Sequence, residues 1–193
     1  RHLGTNDIWF GTDSGVVQYN PRVNRFQIYI QKEHRKQNVA TLPDNHINGI
    51  SEDKNGALWF ATNGGAARLQ DKRIDRVLTT SDGLPDHRVN TIYSAPDGNL
   101  WFGTEGGVAS YNGTKVNRTL TQKDGLISNS IRSVYRDVEG IMWFGTHLGS
   151  GNISGVSRYD GQGFSTFTIQ DGLSESHVNA INGTSDGLIW FGT

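Results

Sequence analysis

Trp101-Phe102-Gly103-Thr104 is the stretch on which the fold turns. It recurs as Trp9-Phe10-Gly11-Thr12, Trp143-Phe144-Gly145-Thr146 and Trp190-Phe191-Gly192-Thr193, with the variant Trp59-Phe60-Ala61-Thr62, and these copies hold all five tryptophans of the 193-residue chain. From one tryptophan to the next the steps are 50, 42, 42 and 47 residues. A period of roughly 40–50 residues belongs to propellers and solenoids, in which each unit buries its faces only against its neighbours.

Around each copy the same order of short strands can be read. In the second unit, 45–52 is a strand led by Ile47 and Ile50, Asp53-Lys54-Asn55-Gly56 is a tight turn, 57–62 carries the anchor, and Asn63-Gly64-Gly65 turns into 66–69 and then 74–79. The third unit repeats this with 88–93, 99–104, 108–111 and 116–121, and the fourth with 131–135, 141–146, 156–159 and 164–169. The first is incomplete, with 8–12, 16–19 and 25–30, where Phe26, Ile28 and Ile30 alternate with polar residues as in a strand whose two faces meet different surroundings. Strands at 177–181 and 188–193 open a fifth. No stretch repeats apolar residues at helical spacing over three turns. Four antiparallel strands in about 42 residues make the blade of a β-propeller. The expected fold is therefore all-β: about four four-stranded blades in an open arc, one partial propeller domain over 1–193. Its units are approximately 1–44, 45–86, 87–128 and 129–175, with 176–193 starting another.

The anchor has a physical reading on that fold. Neighbouring strand residues point to opposite faces, so Trp and Phe together fill the gaps to the two adjoining blades. Trp9, Trp59, Trp101, Trp143 and Trp190 are therefore packing residues, the glycine admits close approach, and the threonine hydroxyl holds a local turn. The near-copies Lys54-Asn55-Gly56, Pro96-Asp97-Gly98, Val138-Glu139-Gly140 and Ser185-Asp186-Gly187 read as hairpin turns. Their acidic residues lack the alternate-position spacing of a calcium loop, so neither a metal nor another cofactor is expected. Asp-Gly-Leu at 82–84, 124–126 and 171–173 reads as a turn with a leucine plug that seats the chain as it crosses between units.

Composition narrows the partners. A formal net charge of −1 with scattered basic residues offers no phosphate-binding face, so no nucleic acid is expected. No apolar run approaches the roughly 18 residues of a membrane span, so no membrane contact by this segment is expected. Cysteine is absent, which removes disulfides and thiolate chemistry. Without an initiating Met, and ending in mid-repeat, the sequence is expected to be a segment of a longer protein.

The run Gly83 to Gly113, echoed at 125–151 and 172–193, resembles the two-component regulator propeller repeat: Asp-Gly-Leu, Asp-Gly-Asn-Leu-Trp-Phe-Gly-Thr and Gly-Gly-Val follow in order at the expected separations. The resemblance covers essentially the whole chain, with Ala61 and two lengthened connections as departures. It implies a non-catalytic sensor segment of a bacterial receptor of the hybrid histidine kinase type, periplasmic or extracellular, within a propeller of about seven blades whose remaining members cover its ends. Alone, such an arc should expose apolar end faces and associate.

The lengthened connections, 31–44 and 147–154, emerge on one face of an up-and-down blade, and variable loops on a rigid scaffold are where recognition resides. The same face receives Asn45-His46, His87-Arg88, Asn129-Ser130 and Ser176-His177, with Glu105 and His147 just after the anchor threonines. His46, His87, Arg88, Glu105, His147, Asn152 and His177 are thus candidate ligand-binding residues, suited to a polar small molecule or an oligosaccharide; the sugar is implied by the resemblance alone. Two alternatives differ in class. Propeller lyases that cleave streptogramins have similar repeats, and Glu105, His147 and His177 could serve as an acid–base set. A protein-interaction propeller would bind a partner without any small molecule. No nucleophile elbow, zinc-helix motif or phosphate loop is present.

Overall fold

A computed structural model describes residues 6–31, 41–147 and 153–193. Seventeen strands run through these residues and form five separate antiparallel sheets. β1 (Ile8–Thr12), β2 (Gly15–Asn20) and β3 (Arg25–Tyr29) make a three-stranded sheet. Three four-stranded sheets follow. The first holds β4 (Ile47–Glu52), β5 (Leu58–Thr62), β6 (Gly65–Gln70) and β7 (Arg73–Leu78), and the second β8 (Val89–Ser94), β9 (Leu100–Thr104), β10 (Gly107–Tyr111) and β11 (Val116–Leu120). The third holds β12 (Ile131–Arg136), β13 (Met142–Thr146), β14 (Val156–Tyr159) and β15 (Phe164–Phe167), and β16 (Ala180–Gly183) with β17 (Ile189–Gly192) forms a last pair. Every strand pairs with its sequence neighbour, so each sheet is a meander. Between sheets, β1 packs on β4, and β4, β8, β12 and β16 pack on one another in turn, which makes them the inner strands of an arc. Among the described residues no sheet closes on another, and the architecture is that of an open propeller fragment.

The core lies between the blades rather than inside them. One cluster joins Trp59, Leu78 and Leu84 to Val89, Phe102 and Tyr111 of the next blade, and its counterpart one blade on joins Trp101, Leu120 and Leu126 to Ile131, Phe144 and Tyr159. The anchor sets each junction. Trp9 meets Phe60, Trp59 meets Phe102, Trp101 meets Phe144 and Trp143 meets Phe191, with ring centroids 6.0, 5.6, 6.1 and 5.7 Å apart. Each tryptophan therefore faces forward and each phenylalanine backward, as adjacent strand positions require. The threonine also behaves as its position predicts: the hydroxyls of Thr12, Thr62 and Thr104 each donate to a glycine carbonyl three residues on, at 2.8 Å, and each accepts the N–H two residues on.

The anchor glycine lies against the inner strands. A Cβ at Gly103 would stand 2.7 Å from side-chain carbons of both Thr91 and Ile131. Ala61 is tolerated in the second blade because its cross-strand partner is Gly49, where Gly103 faces Thr91. The small residue has changed strands. Gly103→Ala is expected to cost about 1–3 kcal/mol as overpacking, and adding Thr91→Gly should return part of it in a denaturant titration.

Three boundaries differ from the sequence reading, which carried the outer strands through Thr79, Thr121 and Ile169. Thr79, Thr121 and Thr168 instead cap short 3₁₀ turns, each as a reciprocal box with the aspartate three residues on. Asp82, Asp124 and Asp171 thus belong to caps, the glycine after each ends the turn in the left-handed region, and Leu84 and Leu126 are buried as plugs. Leu42 is a further buried plug, which the sequence reading passed over because no Asp-Gly precedes it.

The turns also explain an inequality among the tryptophans. Asp53 and Asp137 accept the indole N–H of Trp59 and Trp143, at 3.0 and 2.7 Å. Ala95 occupies that place in the third blade, and the buried Trp101 Nε1 has no partner. Ala95→Asp is therefore expected to raise stability by about 1 kcal/mol, a hydrogen bond to a charged acceptor less the cost of burying it, read as a higher melting temperature.

Candidate functional site

Hydrophobic spacing on the inner strands decides where the site forms. Apolar residues fall at 47 and 50, 89 and 92, 131 and 134, and 178 and 181, three apart where a regular strand needs two. The extra residue is a bulge: pairing shifts between Ile47 and Gly49, Val89 and Thr91, and Ile131 and Ser133. The bulged residues are Asn48, Asn90 and Arg132. Asn48 Nδ2 donates to the Val89 carbonyl at 2.8 Å and Asn90 Nδ2 to the Ile131 carbonyl at 2.9 Å, so each clasps the following inner strand.

The same side chains reach the residue after the anchor threonine. Asn48 Nδ2 lies 3.0 Å from Asn63 Oδ1, and Asn90 Nδ2 lies 3.1 Å from Glu105 Oε1. Just before each inner strand a short turn presents another polar residue, fixed where the backbone N–H of His46 and of Arg88 donates to the side chain of Asp44 and of Asp86. The Glu105 N–H donates to the Arg88 carbonyl and the His147 N–H to the Ser130 carbonyl, which seats these two layers against one another.

Glu105 is the hub of the rim. Arg132 Nη2 stands 3.0 Å from its Oε1 and Arg88 Nε 3.9 Å, while Arg132 Nη1 donates to Asn90 Oδ1 at 3.3 Å. Burial pushes the Glu105 carboxyl up, but the nearby Ser130 hydroxyl, the hydrogen bond from Asn90 and the charges of Arg132 and Arg88 outweigh it and hold it below the usual carboxylate range. The folded state thus favours the carboxylate. Its contribution to stability is complete above the ordinary glutamate range and is lost as pH falls through the depressed value. Glu105→Gln should therefore flatten the acid limb of stability against pH, and an unchanged limb would exclude this network as its source.

The structure brings some of the predicted residues together and leaves others apart. Arg88 joins Glu105 as described. His46 Nδ1 lies 3.2 Å from Asp13 Oδ1 of the preceding blade. The rings of His147 and His177 stack, 4.3 Å between centroids at 19°, across the junction of the last two blades. His87 is largely exposed, 3.4 Å from Asp86, and takes no part in the hub. Asn152, most of the 31–44 connection and most of the 147–154 connection lie outside the described residues. Asp13, Asn48, Asn63, Asn90 and Arg132 were not among the predicted residues, although the three-residue apolar spacing marks the bulges. Among the described residues no hydrogen bond or ion pair joins Glu105 to His147 or His177.

The family described as two component regulator propeller matches residues 41–64, 83–106 and 125–148. These three segments are similar to the two component regulator propeller repeat. Each matched segment starts at the residue before a plug leucine and takes in the inner and anchor strands of its blade. Among solved structures, the extracellular domain of a putative hybrid two component system from B. thetaiotaomicron superposes with a TM-score of 0.79 at 22% identity, over 99% of this chain and 25% of that one. A second extracellular domain of such a system from B. thetaiotaomicron gives 0.62 at 20%, over 97% and 33%. A streptogramin B lyase gives 0.69 at 18%, over 99% and 60%. The chain thus spans about a quarter to a third of the two extracellular domains, and these likenesses establish the propeller fold. No curated protein matches the chain.

Proposed function

We propose that this propeller segment is the non-catalytic sensing part of an extracytoplasmic receptor of the two-component type, and that it recognises a polar ligand on the face of the crossing connections. The observation that carries the proposal is the rim hub. Glu105, Asn90, Arg88 and Arg132 come from two adjoining blades, so a ligand that bonds to them registers how those blades sit. Partly exposed polar side chains held on a rigid scaffold also suit hydroxyl-rich compounds such as oligosaccharides. The likeness to extracellular domains of two-component systems and the match to the repeat family support this reading.

The test is a thermal-shift screen against oligosaccharides and small polar acids, repeated with Arg132→Ala, Glu105→Gln and both connections shortened. A rise in melting temperature that falls at least tenfold in ligand sensitivity, about 1.4 kcal/mol, on Arg132→Ala is the expected result. A shift that ignores all these changes would move recognition off this face. Turnover of a streptogramin, lost in His147→Ala, would establish the lyase instead.

A further inference from the structure

The residue at the bulge of an inner strand ties that strand to the blade that follows. Asn48 donates to the Val89 carbonyl and Asn90 to the Ile131 carbonyl, at 2.8 and 2.9 Å. By the same count the Val178 carbonyl is the place for Arg132, the bulge residue of β12. Arg132 turns the other way. Its Nη2 stands 3.0 Å from Glu105 Oε1 and its Nη1 donates to Asn90 Oδ1 at 3.3 Å, so the preceding blade holds its guanidinium.

Two groups go without a partner as a result. Arg132 Nε is buried and makes no hydrogen bond, and among the described residues no side chain donates to the Val178 carbonyl. The backbone brings the two within reach. Ser133, next to the bulge, pairs with Gly145, and a Cβ on Gly145 would stand 2.7 Å from the Val178 carbonyl oxygen. Nε of an arginine lies one bond further from Cβ than Nδ2 of an asparagine, so a change of rotamer carries a donor to that carbonyl. A buried donor without a partner costs free energy, so the backward position lasts only while Glu105 and Asn90 hold the guanidinium.

We propose that Arg132 is a two-position latch: held by Glu105 it ties β12 to the third blade, and released it donates to the Val178 carbonyl and tightens the junction between the fourth blade and the last pair of strands. The trigger is a ligand whose hydroxyl or amine groups donate to Glu105 Oε1 in place of Arg132, so the latch rests on the reading of the hub as the ligand site. At the rim this junction is otherwise joined by the stacked rings of His147 and His177 and by the Val178 N–H, which donates to the Thr146 carbonyl at 2.9 Å. One added bond there changes how firmly the two sheets sit together. Occupancy at Glu105 thereby passes to a junction that the ligand does not touch, through an element with two discrete positions.

Amide hydrogen exchange of the ligand-free protein tests the latch apart from any ligand. Glu105→Gln removes the charge that holds Arg132, and Glu105→Ala removes the acceptor as well. In both, exchange over 176–183 should slow about fivefold, the worth of one hydrogen bond, while exchange over 47–62 in the second blade stays as in the wild type. Arg132→Asn puts at β12 the residue that makes the clasp in the two preceding blades, and should slow the same segment to a similar extent. In an Arg132→Ala background neither Glu105 variant should change it. Exchange over 176–183 that is unchanged or faster in both Glu105 variants would overturn the latch. So would slowing that survives in the Arg132→Ala background, or an Arg132→Asn protein whose junction is no tighter than that of the wild type. With the latch shown in this way, a melting temperature that no oligosaccharide or polar acid raises would fault the hub as the ligand site and leave the latch standing. A ligand-dependent shift lost in Arg132→Ala, with an unresponsive junction, would overturn the latch and keep the hub.

Discussion

Trp59→Ala is expected to lower the stability of the chain by about 3–5 kcal/mol, the range for truncating a large buried aromatic. Trp59 is fully buried between two blades, edge-on to Phe102 and Tyr111 at 5.6 and 5.4 Å, with its indole N–H bound to Asp53. Alanine leaves a cavity that neither sheet can close, because each is held by its own strand ladder. It also takes a donor from Asp53, which keeps the N–H groups of Asn55 and Ala57. Trp101→Ala should fall lower in the same range, since its indole has no bond to lose, and Trp190→Ala should stay within about 0.5 kcal/mol as a surface change. Denaturant titration of the three variants gives the order. Equal losses at Trp59 and Trp190 would contradict the packing role of the anchor.

Leu84→Ala is the second large effect, about 2–5 kcal/mol for a buried leucine. Leu84 follows the capped 3₁₀ turn, and its N–H donates back to the Thr79 carbonyl, so the crossing chain is pinned at both backbone and side chain. Its plug sits in the cluster of Trp59, Leu78, Val89 and Phe102. The segment it seats goes on directly to Asp86 and Arg88. Loosening it should therefore also weaken any ligand that depends on the Arg88–Glu105 approach, whereas Leu173→Ala, where the plug is only half-buried, should cost less. A melt together with a binding titration separates the two effects: stability lost with ligand affinity intact would show that the plug does not position the rim.

Much of this was legible in the chain because a propeller is nearly one-dimensional. Each blade packs on its neighbours in sequence, so a motif at a fixed period reports both a strand and its contacts. The period of the tryptophans, the opposed directions of Trp and Phe, the threonine-held turn and the leucine plugs all follow from local residues and appear in the structure. Thr79, Thr121 and Thr168 were harder to read, since a threonine at the end of an alternating strand suits the strand as well as the cap.

The rim was legible only in part. Glu105 and Arg88 could be placed on one face by counting strands, and the extra residue at 48, 90 and 132 is visible as a break in alternation. Which of these side chains meet could not be read, because partners such as Arg132 and Glu105, or His177 and His147, lie in different blades and their approach depends on how closely the inner strands converge. The sequence by itself determined the repeat, the strands and the side each anchor residue faces, all of which are set by chain-local periodicity and sterics. Only the tertiary structure decided that Asn90 and Arg132 draw Glu105 into one network and that the rings of His147 and His177 stack, because each depends on blades coming together in space.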